Sequence, residues 1–296
     1  MKVHRFVSND FTVRVAAVNA TAQVAEFQAL QDALPLATLA VGRAMVGALL
    51  MASNLKPGQE LGVFFKGNGP LGSCYSQASY EGHVRGYCPN PQYQAPVAED
   101  VLDVGKALGR GHLNVSRQQP FQKQPFNGTV EMVSGQIGDD IAHYLHQSQQ
   151  IRSIVALGVF LDSYGKVKAA GGVLIEVMPG VEDEIVQKLQ TNRDQFQGTV
   201  SQMLFDGAKE VDLVEPYLLG IPFTQIPHEY EISYSCPCTS ERVIGALSTL
   251  GVNELEEMIQ QNTPSEIQCQ MCGRNYSVSV AELEKLKESL RKSSMH

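Results

Sequence analysis

Tryptophan is absent from the 296 residues, and aromatic side chains make up only 7%. Charge is also sparse at 18%, with 23 Lys and Arg against 31 Asp and Glu, giving a formal net charge of −8. A chain short of cations does not neutralise phosphates, which argues against a nucleic-acid partner. The same shortage argues against an anionic membrane surface. The N-terminal MKVHRFVSNDF has no apolar h-region and no small-residue cleavage site, so no secretory signal is expected. Long uncharged apolar runs are missing as well. The nearest, Pro35 to Asn54, carries Arg43 at its middle, where insertion costs roughly 2.5–3.5 kcal/mol. Gly42 and Gly47 weaken it further, and a buried core helix is expected instead. The cytoplasm follows as the expected compartment, where thiols stay reduced.

Internal repeats, low-complexity tracts, a Ser–His–Asp arrangement and a phosphate cradle are all missing. Gly67-Asn68-Gly69-Pro70-Leu71-Gly72 matches G-x-G-x-x-G after a strand, but CYSQASYEGHVRGY follows it and alternates like a hairpin. A dinucleotide site needs a helix there, so a turn is expected. Asp139, Asp140, His143 and His146 fall at helical spacing and read as a solvated face. Cys74 and Cys88 lie in strand-like segments and read as packed thiols.

What is present organises into an α+β domain over residues 1–180, a helical linker over 181–231 and a small module over 232–296. Strand LGVFFK (Leu61 to Lys66) opens a meander, IVALGVFLD and VKAAGGVLIEVM form a hairpin, and helices are expected at 35–54 and 137–148. From Val181 to Asp206, Ile185, Leu189, Phe196, Val200, Met203 and Leu204 fall on one stripe that Asn192 interrupts, with Gly207 as the stop. Asn253-x-x-Glu256 and Ser279-x-x-Glu282 read as helix starts.

The strongest chemical signal is Cys236-Pro-Cys238, then Cys269-x-x-Cys272 followed by Gly273. Two close pairs in one small module have the spacing of a four-cysteine zinc site. Four sulfurs close the coordination sphere, so the ion is structural or a switch rather than catalytic. Thiolates are also the form that oxidants attack.

The assembled residues resemble the 33 kDa heat-shock protein family of redox-regulated holdase chaperones. SCPCTSERVIGALSTLGVNELEEMI and CQMCGRNYSVS carry the C-terminal part of the likeness. AVGRAMVGALLMASNLK, GNGPLG, GHVRGYCPNP, SGQIGDDIAHYL and AAGGVLIEVMPG carry the rest. The resemblance implies a non-enzymatic, ATP-independent chaperone, inactive while one zinc ion sits on Cys236, Cys238, Cys269 and Cys272. It further implies that oxidation pairs Cys236 with Cys238 and Cys269 with Cys272, releases zinc and yields a dimer that holds unfolding client proteins. Ile185, Leu189, Phe196, Val200 and Met203 are the expected client-binding residues, covered by the zinc module until it unfolds. Two rivals remain at this point. A zinc-ribbon-like interaction module without redox switching is disfavoured as a nucleic-acid binder, because Arg242, Arg274, Lys285, Lys287, Arg291 and Lys292 face eight glutamates. An enzyme with a Cys88 nucleophile would need a reactive thiol there.

Overall fold

The computed structural model describes residues 2–94, 102–122, 124–227 and 231–293, the side chains of 292 and 293 excepted. Residues 228–230 of the expected linker and the Lys292 side chain therefore lie outside the described residues. Contacts divide the chain into two units, Met1–Ser235 and Cys236–His296.

The first unit begins with strands β1 (Val3–Ser8) and β2 (Val13–Asn19), then helices α1 (Thr21–Gln31) and α2 (Pro35–Ala52). Pro35 occupies the first turn of α2, where a missing N–H leaves no bond unmade. Every residue of α2 except Pro35 and Arg43 is buried, and the helix touches strands of both sheets described next. By length and composition alone α2 could cross a membrane; here its apolar surface forms the middle of the core.

Next come β3 (Glu60–Gly67), β4 (Ser73–Ser79), β5 (His83–Tyr87), α3 (Val104–Leu108), β6 (Gly111–Gln118) and β7 (Phe126–Glu131). The glycine-rich motif is the turn from β3 to β4. A Cβ on Gly67 or Gly69 would collide with the Leu108 or Ala107 carbonyl group, so the glycines serve close packing on α3. The unit continues with α4 (Gly138–Gln149), β8 (Ser153–Leu161), β9 (Val167–Val177), α5 (Asp183–Gln195), α6 (Val200–Phe205), α7 (Glu210–Val214), β10 (Phe223–Ile226) and β11 (Ser233–Tyr234). One sheet runs β10-β1-β2-β9-β8 and the other β11-β5-β4-β3-β6-β7. The expected mixture of sheet and helix is thus present.

The stretch expected as a linker belongs to the first unit. Strand β9 is apolar on both faces, so it needs two covers. Gly172 faces Val46 of α2. Ala169, Val173, Ile175 and Val177 form one cluster with Leu189, Val200, Leu204, Leu213, Tyr217 and Ile221 from α5 onward. β10 then pairs antiparallel with β1. The expected single helix from Val181 to Asp206 is two helices, because the chain leaves helical geometry at Phe196 (φ −75°, ψ 113°). Asn192 is buried, and its amide donates to the carbonyls of Tyr217 (2.8 Å) and Leu219 (3.1 Å). The polar residue that interrupts the stripe is the anchor of the following connector. Gly207 (φ 95°) stops α6 as expected, with Ala208 N–H donating to Met203 O at 2.9 Å.

The second unit contains α8 (Ser240–Leu247), a 3₁₀ turn (Ser248–Leu250), α9 (Val252–Gln260), the hairpin β12 (Ser265–Gln268) and β13 (Asn275–Val278), and α10 (Val280–Ser293). Its buried core consists of Leu247, Leu255, Val278 and Leu283. Ser279 and Glu282 form the expected capping box: Ser279 N–H donates to Glu282 Oε2 at 2.9 Å and Glu282 N–H to Ser279 Oγ at 3.4 Å. Asn253 does not cap, because Gly251 occupies that position and Asn253 sits inside the first turn of α9.

Candidate metal centre

Both cysteine pairs are placed by local structure. Pro237 stiffens the first pair, and Thr239 behind it caps α8 by accepting from Arg242 N–H at 3.3 Å. The Arg242 guanidinium reaches back to donate to the Pro237 carbonyl at 3.0 Å. The second pair sits in the turn of the β12–β13 hairpin. Cys269 N–H donates to Arg274 O and Gly273 N–H to Cys269 O, both at 2.8 Å. Gly273 adopts φ 73°, which turns the chain so that both thiols leave one side of the knuckle.

The four sulfurs lie within 4.8 Å of one another. Cys236 Sγ is 4.0 Å from Cys269 Sγ, and Cys238 Sγ is 3.2 Å from Cys272 Sγ. Ligands at the usual zinc–sulfur length in a tetrahedron sit about 3.8 Å apart, which these separations bracket. Cys236 and Cys272 are buried, and Cys238 and Cys269 are half-buried. Burial pushes the Cys238 thiol up, opposed by a hydrogen bond from the Tyr276 hydroxyl. Burial also pushes Cys272 up, and neighbouring sulfurs add to it. A divalent cation among them reverses this and favours thiolates. The donor set therefore fits a zinc ion.

Among the described residues this is the metal-capable cluster the fold assembles. Asp139, Asp140, His143 and His146 do not make a second. Asp140, expected on a solvated face, is buried and accepts from the backbone N–H groups of Val133 (2.6 Å) and Ser134 (3.1 Å). Cys74 and Cys88 belong to the first unit and are both buried. Burial raises Cys74 well above the ordinary thiol range and raises Cys88 to about 12. Burial thus favours the neutral thiol at both positions, whereas a reactive cysteine needs surroundings that favour the thiolate.

The expected client-binding stripe is packed on the first unit's own five-stranded sheet. Leu189 and Val200 are buried there, while Ile185, Phe196 and Met203 are partly buried against the same cluster. Phe196 meets Tyr217 edge-on, ring centroids 5.6 Å apart. Sequence reasoning missed Tyr276, whose hydroxyl lies 3.0 Å from Cys238 Sγ and 2.9 Å from Cys238 O. Its signal would have been an aromatic hydroxyl four residues past Cys272, on a strand leaving the knuckle.

Comparison with known proteins settles the kinship. A family model described as Hsp33 protein matches residues 2–279. The chain belongs to the Hsp33 family. The Hsp33 match takes in all four clustered cysteines. A 33 kDa chaperonin of Desulforamulus reducens is 35% identical over 283 residues, which is 95% of either chain. One from Synechococcus sp. (strain JA-2-3B'a(2-13)) is 41% identical over 277 residues, 93% of this chain and 86% of the relative. Among solved structures, the crystal structure of the 33 kDa chaperonin (heat shock protein 33 homolog) of Thermotoga maritima matches with a TM-score of 0.89. That neighbour is 32% identical, with 98% of each chain covered.

Proposed function

We propose that this chain is an ATP-independent holdase chaperone of the cytoplasm, restrained while four reduced cysteines hold zinc and released when they are oxidised. The observation that carries the proposal is the convergence of four thiols within 4.8 Å of one another in a unit with so small a core. Relatives bearing the name 33 kDa chaperonin support the chaperone part. A core of that size supplies roughly 3–5 kcal/mol at most, whereas structural zinc in small modules contributes roughly 10–16 kcal/mol. The unit's fold then depends on Cys236, Cys238, Cys269 and Cys272 remaining ligands. Bound zinc would hold the sulfurs as thiolates with no coordination position left for water.

Oxidation by a peroxide proceeds on these sulfurs. A thiolate attacks one peroxide oxygen; the S–O bond forms, the O–O bond breaks and hydroxide leaves. A second sulfur attacks the resulting sulfenic acid, closing the S–S bond and expelling hydroxide. Each thiolate pair surrenders two electrons to one peroxide as its disulfide forms, so two peroxides are needed for the set. The proposed pairs are Cys236 with Cys238 and Cys269 with Cys272. The reduced geometry does not select them, since sulfurs from different pairs are also close. Loop closure supports them: once the unit loosens, partners near in sequence stay near and distant ones drift apart.

The proposed client surface is Ile185, Leu189, Phe196, Val200 and Met203, presented when α5 and α6 lift from the sheet. An apolar groove lined by Ile154, Ile175, Val177, Val186 and Leu189 already opens beside α5. Apolar surface of this kind seeks partners, either an unfolding client or a second copy in a homodimer. The test compares the reduced and peroxide-treated chain for suppression of client aggregation at raised temperature while zinc release is followed. Suppression only after oxidation, together with release of one zinc per chain, is the expected result. Equal suppression in both states would end the switch reading.

A further inference from the structure

Tyr276 stands on β13, opposite Ile267 of β12, and reaches across from the second cysteine pair to the first. Its hydroxyl has one proton and two acceptors at hand, Cys238 O at 2.9 Å and Cys238 Sγ at 3.0 Å. Charge decides between them. A thiolate sulfur draws the proton strongly, as ionised acceptors do, whereas a disulfide sulfur is a poor acceptor and leaves it to the carbonyl. An O–H donor draws electron density from the sulfur it engages and makes that sulfur a weaker nucleophile toward a peroxide, so donation slows attack. Hydrogen bonds to ligand atoms from outside the coordination sphere tune sites in this way.

We propose that Tyr276 is a positioning residue that sets the oxidation threshold of Cys238 by donating its hydroxyl proton to the Cys238 sulfur in the reduced state. This rests on the zinc-switch reading of the four cysteines. The step it retards is attack of Cys238 S⁻ on a peroxide, with the S–O bond forming, the O–O bond breaking and hydroxide leaving. The oxygen acquired brings its own hydrogen, so Cys238 is left as a sulfenic acid.

The test uses the full zinc-loaded chain and its Tyr276→Phe variant, which keeps the ring and deletes the donor. Peroxide-driven zinc release in the variant is expected to be about five-fold faster, the worth of one ordinary hydrogen bond. With substoichiometric alkylating reagent, mass spectrometry should show a larger share of the first modification at Cys238. Cobalt substituted for zinc should show its sulfur-to-metal charge-transfer band at lower energy in the variant, a signature that loss of packing alone would not give. Equal release rates and an unchanged Cys238 share, with zinc still bound, would overturn the proposal while leaving the switch reading intact. Failure of the unsubstituted chain to bind or release zinc would overturn both. If Tyr276→Phe does not retain zinc, 3-fluorotyrosine installed at position 276 decides the matter. As a stronger donor it should slow modification of Cys238, and an unchanged rate would overturn the proposal.

Discussion

The side-chain amide of Asn192 donates to the main-chain carbonyl of Tyr217 at 2.8 Å, with Leu219 O also in reach at 3.1 Å. That link binds α5 to the connector that leads into β10, and it holds a polar group inside an otherwise apolar layer. Asn192→Leu keeps the volume and removes the donor from the buried Tyr217 carbonyl, so it should destabilise the reduced chain by about 1–3 kcal/mol. Denaturant unfolding measures the loss. Hydrogen exchange should show it concentrated in α5 and around Leu218, with α2 unaffected.

A second anchor, here an ion pair, sits at the sheet. Glu176 is buried on β9, and both its oxygens are engaged, by Arg14 Nε at 2.7 Å, Arg14 Nη2 at 3.0 Å and Asn54 Nδ2 at 2.8 Å. Arg14→Ala leaves the carboxylate with Asn54 alone. Breaking a fully buried pair costs roughly 3–5 kcal/mol; because the Arg14 side chain is 36% exposed, a loss of about 2 kcal/mol is expected after allowing for solvent screening. Arg14→Ala combined with Glu176→Gln should recover part of it, as a double-mutant cycle would read.

Cys88 makes the first unit sensitive to alkali. Burial raises its thiol from 9.0 to about 12, so the folded state holds the proton where the unfolded state has lost it. The associated stability is complete below pH 9 and falls as pH rises toward 12. Cys88→Ala should flatten the alkaline limb of a stability–pH curve. An unchanged limb would mean that other groups control it.

Chelation separates the units. Removing zinc from the reduced chain should raise exchange rates across α8, α9 and α10 while those of α2 and β9 stay slow. Maleimide should then label Cys236, Cys238, Cys269 and Cys272 and spare the buried Cys74 and Cys88, which intact-mass measurement counts directly. Labelling of all six in the chelated native chain would contradict the separation.

Features whose cause is local were legible in the sequence. The paired cysteines, the apolar run of α2, the β8–β9 hairpin and the Ser279 capping box all follow from short-range spacing. The errors arose where a long-range partner decided the outcome. Asn192 looked like a flaw in a stripe because Tyr217, which receives its amide, lies twenty-five residues on. The stripe looked destined for another domain because one strand's need for a second apolar cover is visible only once β9 is central in its sheet. Asn253 looked like a cap, yet Gly251 takes that place at φ 92°. Tyr276 was silent because its role depends on the reach of a side chain across a hairpin, which spacing does not encode.

Strand β11 is only Ser233 and Tyr234, paired parallel with His83 and Val84 at the margin of the six-stranded sheet. Two backbone bonds fasten this stretch there, Ser233 N–H to Gly82 O at 3.0 Å and Ser235 N–H to Val84 O at 2.9 Å. The next residue is Cys236. The backbone that enters the sulfur cluster is therefore also the cover on the open margin of β5, fastened as well by Gln23 Nε2 donating to Ile232 O at 3.2 Å and by the buried Ile232 and Tyr234 side chains. Were it to peel away, β5 would present unpaired N–H and C=O groups in a row, a template on which another extended chain can build.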